Sequence, residues 1–81
     1  MIVVDTSAVL AIIQAEPEAD AFLDLIRQAD RVVISAVSVL EAGMVLRGRR
    51  GPAGLDQLSD IIDGMAIEVI PFDAPLVASA L

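Results

Sequence analysis

Short β-branched runs alternate along this chain with longer stretches whose apolar residues fall at helical spacing. Ile2-Val3-Val4 is a compact apolar run closed by Asp5, which predicts a strand buried on both faces. Ser7 then offers an N-cap for a short helix carrying Val9, Leu10, Ile12 and Ile13. Glu16-Pro17-Glu18 predicts the start of a second helix, with proline in its first position and Glu18 and Asp20 complementing the dipole. Phe22, Leu25, Ile26 and Ala29 follow at i, i+3, i+4 and i+7, an amphipathic face. Val32-Val33-Ile34 reads as the second strand. Ser35 to Arg47 reads as a third helix with Val37, Leu40, Met44 and Val45 on one side. The segment Arg47-Gly48-Arg49-Arg50-Gly51-Pro52 breaks it.

Pro52 opens a fourth helix, with Leu55, Leu58, Ile61 and Ile62 at helical spacing and a stop at Gly64. Ala66 to Ile70 predicts a third strand, Glu68 pointing away from its apolar neighbours or lying near an edge, and Pro71 ends it. Asp73 is placed as the N-cap of one more helix, with Pro75 in its first turn and Val77, Ala78 and Leu81 beginning an apolar face. Strands alternating with helices imply an α/β fold around a parallel sheet. Three strands and an unfinished last helix make a thin sheet, so the 81 residues are expected to form the N-terminal part of a longer domain.

Composition narrows the chemistry. The chain is 57% hydrophobic with a mean hydropathy of +0.78, too apolar for intrinsic disorder. It has no cysteine and no histidine, which excludes a disulfide framework, a Cys/His zinc site, a Ser-His-Asp triad and a cysteine nucleophile. A metal held here must be hard and oxygen-liganded. Twelve acids against five arginines give a net charge of −7, so nucleic-acid binding would have to be local. Phe22 and Phe72 are the two aromatic residues, too few for a base-stacking platform. No segment approaches the roughly 18 apolar residues of a membrane span. The N-terminus has no basic region of a signal peptide, and the expected compartment is the cytoplasm. Neither G-x-x-x-x-G-K-[ST] nor G-x-G-x-x-G occurs, leaving nucleotide binding without support. No second Asp follows Asp5 two places on, which weakens a phosphatase with an aspartyl nucleophile.

Two acids stand out. Asp5 falls at the carboxyl end of the first strand, where open α/β sheets place their ligands; it also fits an ordinary turn aspartate bonding the amides of Thr6, Ser7 or Ala8. Glu41 has Val37, Met44 and Val45 among its helical neighbours and is read as core-facing; Ser38-Val39-Leu40-Glu41 equally matches the capping box S-x-x-E. Both acids can reach one end of the sheet. Paired carboxylates without His or Cys suit Mg²⁺ or Mn²⁺, which complete their shells with water and substrate phosphate and promote attack of water on a phosphodiester. Thr6 and Ser7 are candidates to bond Asp5, a metal-bound water or the phosphate. Arg47, Arg49 and Arg50, three of the five cations, suit RNA phosphates, an acidic partner peptide, or simply a solvated loop. Asp56, Asp60 and Asp63 read as a polar helix face.

Met1-Ile2-Val3-Val4-Asp5-Thr6-Ser7-Ala8-Val9-Leu10 resembles the opening of a PIN domain, in particular the VapC type of toxin ribonuclease. The resemblance continues through Glu16-Pro17-Glu18, Ile34-Ser35-Ala36, Leu40-Glu41-Ala42, Gly51-Pro52-Ala53-Gly54 and Ile70-Pro71-Phe72-Asp73. It implies a PIN-like three-layer fold with a parallel sheet, here truncated after the third strand. It further implies a Mg²⁺-dependent endoribonuclease, the toxic half of a toxin–antitoxin pair, neutralised by a VapB-type antitoxin, commonly dimeric, and directed at structured RNA such as tRNA or rRNA. Asp5 then matches the first metal-binding acid, Glu41 the second, and Thr6 or Ser7 the small hydroxyl beside the first. The family's later acids lie beyond the last helix, so the chain is expected to carry half an active site. The alternative is a non-catalytic remnant serving as an antitoxin-binding or dimerisation module.

Overall fold

The computed structural model describes residues 1–71. The helix expected from Asp73 to Leu81 lies outside them. The element order is β1 (Ile2–Val4), α1 (Thr6–Ile13), α2 (Ala19–Gln28), β2 (Val32–Ser35), α3 (Ala36–Arg50), α4 (Pro52–Gly64) and β3 (Glu68–Ile70). The three strands form one parallel sheet in the order β1-β2-β3. This is the expected α/β architecture, and its parallel pairing gathers all strand carboxyl ends on one side.

The strand buried on both faces is β2, not β1. Val32, Val33 and Ile34 are all buried, whereas Val3 in the middle of β1 is 65% exposed. The strand order explains the difference: β2 is central, and β1 is an edge among the described residues. Val4, Val32 and Ile34 join Val9, Ile26, Ala42, Leu46, Leu58 and Ile67 in one core.

The apolar stripe expected to bury α3 faces outward. Leu40 is 64% and Met44 68% exposed, while the buried positions are Ala42, Gly43 and Leu46. Small residues on the inner side let α4 come close. A Cβ added to Gly54 would stand 2.5 Å from the Leu46 carbonyl oxygen, so only glycine fits that crossing. The arginine segment does not break α3 either. All three arginines are helical, and the chain turns at Gly51 alone, whose φ of 64° and ψ of −151° belong to a region that excludes side chains. Pro52 occupies the first turn of α4 as expected.

Two other boundaries move. Pro17 and Glu18 precede α2, which starts at Ala19. Helix α4 runs through Gly64, and its left-handed cap residue is Ala66, with φ of 52°. Ile67 N–H then bonds the Ile62 carbonyl at 2.9 Å and Ala66 N–H the Asp63 carbonyl at 3.2 Å, the paired bonds of a Schellman motif. Strand β3 consequently begins at Glu68 rather than Ala66.

Candidate active site

The carboxyl ends of β1 and β2 deliver two helix N-termini side by side, and both open on a polar side chain. Asp5, in extended conformation, caps α1: its Oδ1 accepts from the Ala8 amide at 2.9 Å. The same oxygen accepts from the Ser7 hydroxyl at 2.8 Å. Ser7 therefore sits inside the first turn and serves the cap; it is not the cap. The Ala8 amide and then the Ser7 hydroxyl hold the Asp5 carboxyl below the usual carboxylate range, slightly opposed by partial burial.

At the next helix Ser35 is the cap. Its Oγ accepts from the Ser38 amide at 3.0 Å and donates to the Ser38 hydroxyl at 3.1 Å. Ser38 is thus the third helical residue, and the Ser38–Glu41 capping box does not form. Glu41, a turn further on, is exposed rather than core-facing, because the inner side of α3 belongs to Ala42 and Leu46. One residue joins the two helices. The Thr6 hydroxyl lies 3.3 Å from Glu41 Oε2 and 3.4 Å from the Ser38 carbonyl oxygen, so it faces both acceptors from the start of α1.

Asp5, Thr6, Ser7 and Glu41 therefore come together at one end of the sheet, as expected. Ser35 and Ser38 complete the constellation; their part in it was visible only as the serine at the strand-to-helix turn. The arginines stand apart, in the last turn of α3, roughly 9–14 Å along the helix axis from Glu41. Arg50 donates to Gln57 Oε1 at 2.7 Å, and Arg47 lines a groove of about 310 Å³ between α3 and α4 with Leu40, Met44 and Leu55. Asp56, Asp60 and Asp63 are exposed on α4, as expected.

The donor set fits a hard cation. Two exposed carboxylates are held by neutral hydroxyl and amide donors, and Mg²⁺ commonly takes one or two carboxylates and keeps its remaining waters. Among the described residues, no group of three or more acids converges.

A small parallel α/β sheet with paired acids at its carboxyl end defines a class, and comparison with known proteins identifies it. The family model for the PIN domain matches residues 2–81, and the chain belongs to that family. It is 39% identical over 69 residues to "VapC ribonuclease Mb0625" of Mycobacterium bovis and, to the same extent, to "Ribonuclease VapC28" of Mycobacterium tuberculosis. Each match covers 85% of this chain and 52% of the relative, so the chain spans about half the length of the curated relatives it matches.

Proposed function

We propose that residues 1–81 are the N-terminal part of a single PIN domain that hydrolyses RNA phosphodiesters with Mg²⁺ or Mn²⁺, as the toxin of a toxin–antitoxin pair in the cytoplasm. The observation that carries this reading is the pair Asp5 and Glu41, set at one sheet end and, among the described residues, bonded only by neutral donors. Their negative charge is left for a cation. The names of the mycobacterial relatives support the ribonuclease and VapC parts of the reading.

Asp5 and Glu41 would hold the metal, which when bound lowers the pKa of its water and neutralises charge developing on the phosphate. Ser7 fixes the orientation of the Asp5 carboxylate, and Thr6, the next residue, donates to Glu41. A VapB-type antitoxin and structured RNA are the proposed partners, with Arg47, Arg49 and Arg50 their candidate contacts, and the active form is a homodimer.

A second reading has its own observation. Leu40, Met44 and Leu55 are all exposed along the α3–α4 groove, an apolar strip suited to a partner helix. It supports antitoxin or dimer binding without catalysis.

Two experiments separate the readings. A chimera in which residues 1–81 replace the matched segment of a full-length relative should cleave tRNA or rRNA with Mg²⁺, and Asp5→Asn should abolish the cleavage. Intact cleavage in that variant would refute the catalytic role. On the 81-residue chain, Mn²⁺ should broaden the amide resonances of residues 5–8 and 38–42 first. Broadening centred on Asp56, Asp60 and Asp63 instead would place the cation elsewhere.

A further inference from the structure

A glutamate on a helix surface turns freely about its side-chain torsions, and a metal ligand needs them held. Glu41 is exposed on α3, and among the described residues its one side-chain hydrogen bond comes from the Thr6 hydroxyl. How well Glu41 is fixed therefore depends on what fixes Thr6. A threonine inside a helix can turn its hydroxyl back to a carbonyl of the preceding turn. Thr6 is the first residue of α1, so no helical turn precedes it. Its hydroxyl faces α3 instead, with the Ser38 carbonyl oxygen at 3.4 Å and Glu41 Oε2 at 3.3 Å. One acceptor is a flexible carboxylate. The other belongs to the backbone, and it is the fixed point against which Thr6, and through it Glu41, is set.

That carbonyl is only as steady as the first turn of α3. The opening amides of a helix have no acceptor within it, and the turn frays unless a side chain supplies one. Ser35 supplies it, accepting from the Ser38 amide at 3.0 Å and donating to the Ser38 hydroxyl at 3.1 Å. Ser35 is also the last residue of the central strand β2, in register with Ile70 of β3 and directly after the buried Ile34. A contiguous route thus runs from the middle of the sheet through Ser35, Ser38 and Thr6 to the Glu41 carboxylate.

We propose that Ser35 is a positioning residue for the candidate metal site. Its side chain holds the first turn of α3, so that the Ser38 carbonyl keeps the Thr6 hydroxyl on Glu41. The assignment rests on the reading of Glu41 as a metal ligand, and Ser35 itself touches no ligand. A cap with a structural role alone would act on the site independently of Thr6. A cap that works along this route makes the two residues interdependent.

A double-mutant cycle on the 81-residue chain measures that interdependence. Ser35→Gly removes both side-chain bonds, and glycine remains an acceptable residue at a helix start. Its Mn²⁺ affinity, read by relaxation enhancement, should fall about threefold, the size of one ordinary hydrogen bond. In a Thr6→Val background the same substitution should lower the affinity no further. Ser38→Ala, which keeps the carbonyl, should match the unmodified chain. Losses that add in the double variant would leave Ser35 as a cap and nothing more, and would overturn the proposal. So would a loss in Ser38→Ala as large as that in Thr6→Val, because the hydroxyl and not the carbonyl would then carry the effect. If the unmodified chain shows no Mn²⁺ broadening at residues 5–8 and 38–42, the metal reading falls, and the route is read without metal. Three-bond couplings should then report one χ1 rotamer for Thr6 in the unmodified chain and averaged rotamers in Ser35→Gly. A Thr6 side chain averaged in both, or fixed in both, would overturn the assignment of Ser35.

Discussion

Among the described residues, acids at the amino end of the sheet meet cations, whereas those at the carboxyl end meet only neutral donors. Arg31 clamps Glu68 at the start of β3, and the Met1 ammonium bonds Asp30 at 3.0 Å beside β2. Asp5 and Glu41, at the other end, accept from Ala8, Ser7 and Thr6. The larger cavity, about 540 Å³, belongs to the amino end and is lined by Arg27, Asp30, Arg31 and Glu68. Volume is therefore a poor guide here, because its acids are already neutralised. Asp30 and Asp5 are both held below the ordinary carboxylate range, yet by different partners: the hydrogen bond and then the charge of the Met1 ammonium for one, an amide and a hydroxyl for the other. Among the described residues, what distinguishes a candidate metal ligand is a fixed carboxylate with no cation beside it.

The largest expected effect comes from removing that fixed negative charge. Asp5→Asn or Glu41→Gln should lower Mn²⁺ affinity by about tenfold or more, roughly 1.4 kcal/mol, read by calorimetry or relaxation enhancement. Glu68→Gln at the other end should leave the affinity unchanged. Equal losses at both ends would mean that the protein binds cations through its net charge, and the comparison would collapse.

How much of this was legible in the sequence depends on which signal carried it. The strands and the helix starts at Asp5-Thr6-Ser7 and Pro52 follow from local chemistry, and the structure agrees. Helix α3 misleads because it carries two apolar stripes. The stronger one, Val37-Leu40-Met44, faces out; the buried one relies on Val39, Ala42 and Leu46, with Gly43 and Gly54 permitting close approach. Periodicity weighs hydrophobicity and does not weigh smallness, so it chose the wrong face and turned Glu41 inward. The readings of Ser7 as a cap and of Ser38 as the start of a capping box were each displaced by a short distance, to Asp5 and Ser35, since several Ser, Thr or Asp residues near a helix start all satisfy the same preference; the reading of Asp5 as a turn aspartate bonding Ala8 holds. The Thr6–Glu41 contact spans 35 residues, and no local pattern encodes it.

Asp5 has a second duty, as a cap, and that gives the next largest effect. Asp5→Ala should cost about 1 kcal/mol of stability, and Asp5→Asn clearly less, because an amide oxygen still accepts from Ala8. The depressed pKa fixes the sign with pH. The contribution of the ionised cap is complete above the ordinary value of 3.8 and is lost as pH falls through the lower folded value. Acid unfolding curves of Asp5→Asn should lack that component. Such a variant separates the two duties: it retains most of the cap and loses the metal.

Thr6→Val tests the link between the helices. Its bonds are long, 3.3 and 3.4 Å, so their loss should weaken Mn²⁺ binding only a few-fold, about 0.5–1 kcal/mol for a typical hydrogen bond. Thr6→Ser, which keeps the hydroxyl, should restore it. A restored affinity would assign the effect to orientation of Glu41; failure to restore would assign it to packing of the lost methyl group.

The smallest effect is expected where the ion pairs are most conspicuous. Arg31 and Glu68 are about half exposed, 54% and 52% by side chain, and surface pairs contribute about 0.2–1 kcal/mol even with good geometry. Arg31→Gln should therefore lower stability by no more than that in low salt, and by less in high salt, where exposed charges are screened. The same screening distinguishes the two depressed aspartates. Raising the ionic strength should move the Asp30 carboxyl back toward 3.8, because its partner is a charge at the surface. Asp5 should move much less, since an amide and a hydroxyl at 2.9 and 2.8 Å act through short-range bonds. Carbon-detected titration of both carboxyls at two salt concentrations reads this directly. If Asp5 proved as salt-sensitive as Asp30, its depression would come from a cation, and the carboxyl end of the sheet would be no more open to a metal than the amino end.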